Sequence, residues 1–223
     1  MTQKHNSKEI ILPQINNPKF AEFYGIMLGD GCLYSNLYGI CISGHKILDE
    51  EYHVKYLNQL SIELFGIKPK IYYSKKTKSI RTVIYSKRVA LFLNKIGFPK
   101  GLKKEHNFIP KIYLENKNLT KCLIRGLYDT DGTIYPHKGA KVIIEISIKD
   151  QQFLNQIKYL ADQLNLELKL STDRVYLSGK DKAINFFIEV KPSNIKHKIK
   201  FIYLLFNQKI PSSNEMEMYL KRS

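Results

Sequence analysis

The sequence predicts an α+β protein with two pseudo-symmetric halves, each built as helix, two strands, helix, two strands, helix. Two observations support this prediction. Nearly the same segment occurs twice, at residues 23–31 and 124–132, and each copy is an apolar helical run that ends in an Asp-Gly pair. Helical and extended patterns then follow both copies in the same order. A segment repeated in this way indicates a duplicated structural unit.

The first half is predicted from local signals. Its first helix is expected to begin at Asn17 and Pro18, because Asn caps helices and Pro suits the first turn. We expect Gly31 to end this helix, since glycine accepts the left-handed conformation. The following runs predict a strand to residue 42, a helix over 48–65, two strands within 68–86 and a helix over 87–96.

The second half repeats this order after a linker. The runs predict a helix over 119–130, two strands within 133–147, a helix over 150–164, two short strands within 167–177 and a helix over 181–189. The domains are accordingly residues 1–96, a linker at 97–117 rich in Lys, Asn, Gly and Pro, residues 118–190, and an extension at 191–223. We expect the extension to form a helix that packs on the second half.

The charge of the chain indicates a polyanionic partner. The formal net charge is +16 and the pI is about 9.6, which favours DNA, RNA or an anionic membrane. A membrane role is disfavoured because no apolar run approaches the roughly 20 residues that span a bilayer. The N-terminus lacks the apolar stretch of a signal peptide, so we expect an intracellular protein, in the cytoplasm or an organelle matrix. The three cysteines lack metal-site spacing and are expected to be reduced thiols.

Glycines inside the repeated helices predict a helix–helix interface. Glycine in a helix interior costs about 0.5–1 kcal/mol relative to alanine, so a packing reason is expected. Small residues four positions apart let two helix backbones approach closely. The residues with this spacing are Gly25 and Gly29 in the first copy, and Gly126 and Thr130 in the second. We therefore expect these helices to pack together and to bring Asp30 and Asp131 side by side.

The predicted aspartate pair is a candidate metal site. Two neighbouring carboxylates repel unless a cation lies between them, and Mg²⁺ prefers carboxylate and water oxygens. Divalent ions beside a phosphodiester can activate water and stabilise the leaving oxygen. A single Asp-Gly pair is usually only turn chemistry, but two in matched contexts favour a site at Asp30 and Asp131. Asp129 has Leu28 as its counterpart and is interpreted as a packing or capping residue.

Both repeated segments resemble the LAGLIDADG motif of homing endonucleases. Residues 123–132 match it closely, whereas the first copy has Leu28 where the motif has its first Asp. The resemblance implies a single-chain, two-motif member that acts as a monomer. Its motif helices would form the central interface, and two antiparallel four-stranded sheets would form a saddle for double-stranded DNA. It also implies that Asp30, Asp131, Gly29 and Thr130 form a Mg²⁺ site, which Mn²⁺ or Ca²⁺ could also occupy.

The family pattern also includes a polar residue after the first hairpin and a lysine near the fourth strand. Gly44 and Ile148 hold the polar position here, with His45 and Lys149 next to them. Lys180 and Lys87 fall near the lysine position and are assigned catalytic roles by this resemblance. Both lysines could instead be ordinary surface charges in so basic a chain.

Strand alternation assigns one face of each sheet to DNA. Leu166, Leu168 and Leu170 are expected to point inward. A polar outward face is also typical of a solvated antiparallel sheet, but the net charge favours base and phosphate contacts. The residues expected to contact DNA are Tyr34, Lys68, Lys70, Tyr72, Ser74, Arg81, Tyr85, Tyr135, His137, Lys138, Lys141, Ile143, Glu145, Lys169, Ser171, Arg174 and Tyr176.

The sequence thus predicts a site-specific, metal-dependent endonuclease that cuts both strands of a long asymmetric DNA target in intron homing. One alternative is a maturase on the same fold that binds intron RNA and assists splicing. The other is a DNA-binding regulator without catalytic activity. Double-stranded DNA is the expected partner, and intron RNA is the second candidate.

Overall fold

The first half has the predicted order of elements. A computed structural model describes residues 10–101, 109–137, 141–206 and 209–221. The elements of the first half are α1 (Pro18–Leu28), β1 (Gly31–Leu33), β2 (Ile40–His45), a π-helical stretch (Tyr52–Leu57) that leads into α2 (Asn58–Phe65), β3 (Lys70–Tyr73), β4 (Ser79–Ile84) and α3 (Lys87–Lys95).

The second half repeats the order, and two further helices follow it. Its elements are α4 (Lys111–Glu115), α5 (Lys117–Asp131), β5 (Gly132–His137), β6 (Lys141–Ser147), α6 (Gln151–Gln163), β7 (Lys169–Leu170), β8 (Arg174–Ser178) and α7 (Lys180–Val190), and the extension holds α8 (Ile195–Phe206) and α9 (Ser213–Leu220). The segment 97–117 therefore includes the short helix α4 and the first residue of α5. Among the described helices, none is both long and apolar enough to cross a bilayer.

Each sheet has four antiparallel strands in the same order. The orders are β1-β2-β4-β3 and β5-β6-β8-β7. The registers also agree, because Ser43 pairs with Arg81 in the first sheet and Ser147 pairs with Arg174 in the second. The first strand of each sheet follows directly after a motif helix, so the two sheets flank the helix pair α1–α5.

Gly31 does not end the first helix as expected. The side chain of Asn17 caps α1, as predicted, but the helix ends at Leu28 and Gly31 is the first residue of β1. Gly31 is not among the glycines with positive φ. A Cβ on Gly31 would lie 2.4 Å from the Cα of Met27, and one on Gly132 would lie 2.3 Å from the Tyr128 carbonyl oxygen. Glycine is needed at both places because the strand turns back onto the end of its helix.

The C-terminal extension contacts both halves, not only the second. In α8, the ring of Phe201 stacks on Phe187 of the second half, with 4.3 Å between centroids. In α9, the Glu217 carboxylate lies 2.9 Å from Lys78 Nζ in the β3–β4 turn of the first half. The extension thus forms two helices, and α8 also contacts the first half, because Lys196 Nζ lies 2.8 Å from Asp49 Oδ1.

Candidate metal centre and nucleic-acid interface

The two motif helices are in backbone contact at their glycines. A Cβ on Gly25 would lie 2.1 Å from the Leu123 carbonyl oxygen. One on Gly126 would lie 2.0 Å from the Glu22 carbonyl oxygen and 2.8 Å from the Ile26 nitrogen. No side chain fits at either position, which confirms the predicted packing of α1 against α5. The ends of both helices consequently meet at the centre of the molecule.

This helix contact makes Asp30 and Asp131 neighbours. Gly29 caps α1, and Asp131 is the last residue of α5. A Cβ on Gly29 would lie 2.0 Å from Thr130 Oγ1 and 3.1 Å from Asp131 Oδ2. The carboxylate of Asp131 therefore lies against the peptide that leads into Asp30. Both aspartates are half-buried, so solvent and a ligand can reach them.

The aspartate pair fits a hard divalent cation. Within the described residues, no cluster of three or more His, Cys, Asp or Glu side chains could hold a metal. A metal at this centre would thus take two carboxylates from the protein, and water and phosphate oxygens would complete its coordination, as is common for Mg²⁺. The Thr130 hydroxyl donates to the carbonyl oxygens of Gly126 and Leu127, at 3.2 and 2.9 Å. Thr130 therefore uses its hydroxyl hydrogen in a hydrogen bond inside α5.

In each half, a serine and an arginine lie on two paired strands at the level of the aspartate. The backbone N–H of Ser43 donates to the Asp30 carbonyl oxygen at 3.1 Å, and Ser43 pairs with Arg81 on the next strand. In the second half, Gly132 pairs with Ile146, and the next residue, Ser147, pairs with Arg174. Alternation places these side chains on one sheet face. In β4 and β8, Arg81 and Arg174 are thus the basic residues that the strand pairing places nearest to the aspartates. The sequence had assigned both arginines only to DNA binding.

The structure places Lys87 and Lys180 at the outer ends of the two sheets, and their catalytic roles stay a prediction. Lys87 follows the outer end of β4, and its Nζ lies 5.9 Å from the ring centroid of Tyr38 in the β1–β2 loop. Lys180 follows Gly179, whose N–H donates to the Val142 carbonyl at the outer end of β6. At about 3.3 Å per residue, both lysines lie about 10 Å or more along the sheet from the aspartates. The fourth strand of each half runs away from the centre, so the backbones of both lysines lie apart from the aspartate pair.

The outer face of the first sheet is basic and aromatic. The Tyr72 and Tyr85 hydroxyls lie 3.2 Å apart, and Lys70 Nζ lies 5.6 Å from the Tyr85 ring centroid. Lys68 and Arg81 are exposed, whereas Ser74 lies in the β3–β4 turn, where its Oγ accepts from the Thr77 N–H. Tyr34 is half-buried, and burial raises its pKa to about 12, so it is a neutral donor. This face presents donors and aromatic rings to a polyanion.

The outer face of the second sheet carries an additional carboxylate. The Tyr135 hydroxyl donates to Glu145 at 2.8 Å, and Arg174 Nη1 lies 3.1 Å from the same carboxylate. The Arg174 guanidinium also lies over the Tyr176 ring, 5.7 Å from its centroid. His137 and Lys169 are exposed, and Ser171 is half-buried.

Two residues of the second sheet depart from the predicted exposure. Ile143 is only 8% exposed and cannot offer the contact surface expected of it. Leu170 is 40% exposed, because β7 has only two residues, whereas Leu166 and Leu168 are buried as predicted. Lys138 lies outside the described residues, and for Lys141 only the backbone in β6 is described.

A buried polar network links the two halves and the extension, and the sequence did not predict it. Glu22 on α1 is 3% exposed, and its carboxylate accepts from Arg125 of α5 at 3.1 Å and from Ser193 Oγ at 2.9 Å. Asn194 donates from its side-chain amide to Asp49 Oδ1 at 2.8 Å and to the Asp129 carbonyl at 3.1 Å. The one available signal was a glutamate within the apolar sequence of α1.

Asp129 is a capping residue, as interpreted from the sequence. Its two carboxylate oxygens accept from the backbone N–H groups of Ser193 and Asn194, both at 2.9 Å, just before α8. It is fully buried, and this burial raises its pKa to about 7. Asp129 therefore anchors the extension and takes no part in the aspartate pair.

The free energy of unfolding should fall as the pH drops from 6.5 to 4. His53 is 1% exposed beside Thr82, and burial lowers its pKa from 6.5 to about 4. Between these values the unfolded chain binds a proton that the folded one does not, which costs up to about 3 kcal/mol on acidification. Burial also lowers the pKa of His197, so this ring likewise reduces the free energy of unfolding as the pH drops. Asp129 opposes both, because its pKa is raised on folding.

Urea denaturation at pH 4.5 and 7 measures this dependence. His53→Gln should reduce the pH dependence, whereas His137→Gln, at an exposed histidine, should leave it as in the parent protein. An unchanged pH dependence in His53→Gln would contradict the role of this buried ring.

The sequence is similar to one family model and to curated proteins. Residues 120–191 match the family model of the LAGLIDADG-like domain. Two curated relatives are A-type ATP synthase subunits A: one from Pyrococcus abyssi is 27% identical over 196 residues, which are 84% of this chain and 18% of the relative. The other, from Pyrococcus horikoshii, is 27% identical over 172 residues, 77% of this chain and 16% of the relative. The chain spans less than a fifth of their length, so the similarity concerns one segment of them.

Solved structures share the fold. I-DmoI in complex with DNA and Mn has a TM-score of 0.54 at 19% identity, over 78% of this chain and 96% of that one. Full-length DUF199/WhiA from Thermatoga maritima has a TM-score of 0.55 at 15% identity, over 94% of this chain and 68% of that one. At these identities the likeness establishes the three-dimensional arrangement alone.

Proposed function

We propose that the protein is a divalent-metal-dependent endonuclease, because residues 120–191 match a LAGLIDADG-like domain and the fold resembles those of I-DmoI and WhiA. It would cut both strands of a specific, asymmetric double-stranded DNA site. The observation that carries the proposal is the close approach of the two helix ends. A Cβ built on Gly29, the residue before Asp30, would lie 3.1 Å from Asp131 Oδ2. Equivalent aspartates from two helix ends would thereby form one centre.

Each part of the centre has a role in the proposed reaction. Asp30 and Asp131 would hold the metal, which would polarise the phosphodiester and lower the pKa of a water. The contact between α1 and α5 brings the backbones of the two aspartates together, because glycines let the helices touch. The exposed basic and aromatic side chains of the sheets would bind phosphates and base edges. These tasks are positioning and charge stabilisation, which are the main needs of phosphodiester hydrolysis.

Other features of the proposal follow from the single-chain arrangement. Both aspartates come from one chain, so a monomer with internal pseudo-two-fold symmetry suffices for two cuts. The halves differ in sequence, which suits a target without palindromic symmetry and a role in homing. I-DmoI is a homing endonuclease with structures in complex with target DNA in the presence of Mg or of Mn, which supports Mg²⁺ as the metal here. An intracellular location would give access to DNA.

Two alternatives use the same fold. The LAGLIDADG fold also occurs in WhiA, so the fold alone does not establish cleavage, and a DNA-binding regulator remains the second candidate. A maturase would instead bind intron RNA. The paired aspartates favour the endonuclease, because neither alternative needs two carboxylates at one centre.

Selection from a randomised plasmid library tests the proposal. The purified protein should cut a small subset of plasmids in Mg²⁺ and none in EDTA, with a staggered break in both strands. Enrichment of bound duplexes without any cut in Mg²⁺ or Mn²⁺ would contradict the endonuclease and favour the regulator. Preferential binding and splicing of intron RNA would favour the maturase.

A further inference from the structure

At one equivalent position near the aspartates, one sheet has a thiol and the other has a carboxylate. Two residues before Ser43 on β2 lies Cys41, and two residues before Ser147 on β6 lies Glu145. Cys41 pairs with Cys32 and Val83, whereas Glu145 pairs with Thr133 and Tyr176. The registers are the same, so a 5% exposed thiol in one half replaces a carboxylate in the other.

Glu145 holds Arg174 and neutralises it. The Glu145 side chain is 12% exposed, and its carboxylate lies 3.1 Å from Arg174 Nη1. The Tyr135 hydroxyl donates to the same oxygen at 2.8 Å, and Tyr176 lies beneath the guanidinium. These three contacts hold the carboxylate in place beside the guanidinium. The pair Glu145–Arg174 therefore adds almost no net charge to the second sheet.

Arg81 has no such partner in the first half. It is exposed, and among the described residues no carboxylate lies within ion-pair distance of its guanidinium. Its neighbours on the outer face are the tyrosines and Lys70. The first sheet consequently presents a full positive charge at the position where the second sheet presents a neutral pair.

We propose that Glu145 makes the two halves unequal towards DNA, so that the two strands are cut at different rates. This inference rests on the proposed function. Arg81 would bind a phosphate of one strand with its whole charge, whereas at Arg174 the nearby carboxylate repels the phosphate of the other strand. Two like charges about 7 Å apart, at an effective dielectric constant of about 20, repel enough to change an equilibrium or a rate by about tenfold or more. The strand bound at the second half would therefore be cut more slowly, and nicked duplex would accumulate.

The salt dependence of binding tests the neutralisation without any cleavage. The probe is a 30-bp duplex of fixed mixed sequence in EDTA. Each phosphate contact contributes about −0.9 to the slope of log K against log salt concentration. Glu145→Gln keeps an oxygen for the Tyr135 hydroxyl and should bind more tightly, with a slope steeper by about one contact. Glu189→Gln removes an equal charge at the Lys121 ion pair on α7 and should leave the slope unchanged. Equal slopes in the parent protein and Glu145→Gln would overturn the proposal.

Strand-specific cleavage tests the inequality itself. A target selected in Mg²⁺ is labelled differently on each strand, and both nicking rates are measured in single turnover. The parent protein should nick one strand about tenfold faster. Glu145→Gln should accelerate the slower strand until the ratio approaches one, and Glu145→Cys, which copies the first half, is the second variant. Equal rates in the parent protein, or an unchanged ratio in both variants, would overturn the inference. If the parent protein cuts no DNA, the proposed function fails, and the binding test still decides the role of Glu145.

Discussion

Asp131→Asn should reduce the rate of target cleavage by about a thousandfold or more, while target affinity stays within about threefold. A bound metal supplies several kcal/mol of transition-state stabilisation, and each 1.36 kcal/mol is a factor of ten in rate. The amide removes one of two anionic ligands from the proposed centre. The sheets that would bind DNA are unchanged, so binding should persist.

Single-turnover cleavage and an equilibrium binding assay in Ca²⁺ measure the two quantities. Asp30→Asn should behave in the same way, because the two aspartates occupy equivalent helix ends. The matched control is Asp162→Asn, since Asp162 is a 54% exposed carboxylate on α6 of the same half and should tolerate the change. Full cleavage by Asp131→Asn would remove this residue from the proposed metal site.

Gly126→Ala should lower the free energy of unfolding by about 2 kcal/mol. In an exposed helix the same change stabilises by about 0.5–1 kcal/mol. Here the new Cβ would lie 2.0 Å from the Glu22 carbonyl oxygen, and backbone cannot rotate away as a side chain can. The helices must therefore separate, and overpacking of this kind costs about 1–3 kcal/mol, occasionally more.

Urea denaturation with a matched control measures this effect. Asn185→Ala adds no volume at an exposed position of α7 and should change the free energy of unfolding by less than about 0.5 kcal/mol. Stabilisation by Gly126→Ala would show that the two motif helices are not in backbone contact.

The duplicated order of elements could be predicted because its signals are local. Asparagine and aspartate caps, strand alternation and the paired Asp-Gly segments lie within a few residues of the structures they determine. The helix interface could be predicted for a similar reason, since Gly25 and Gly126 have a conformational cost that close packing explains. Gly31 was misassigned, because a glycine required by close approach and a left-handed glycine look the same in a sequence.

The surroundings of the aspartates depend on strand direction and register, which the sequence does not specify. Lys87 and Lys180 match each other along the chain, yet their strands carry them to the outer ends of the sheets. The residues that lie in line with the aspartates are Arg81 and Arg174, and only the pairing with Ser43 and Ser147 shows this. Alternation likewise predicted the side of Ile143 but not that neighbours would cover it.

The Asn194 amide has a consequence for the modularity of the protein. It joins Asp49 of the first half to Asp129 of the second, and it belongs to a segment that follows both. A chimera that exchanges one half for that of a relative would separate this amide from one of its two buried acceptors. The halves are duplicated in architecture but have diverged into mutually dependent parts, so recombination must carry residues 191–206 together with matching residues from both.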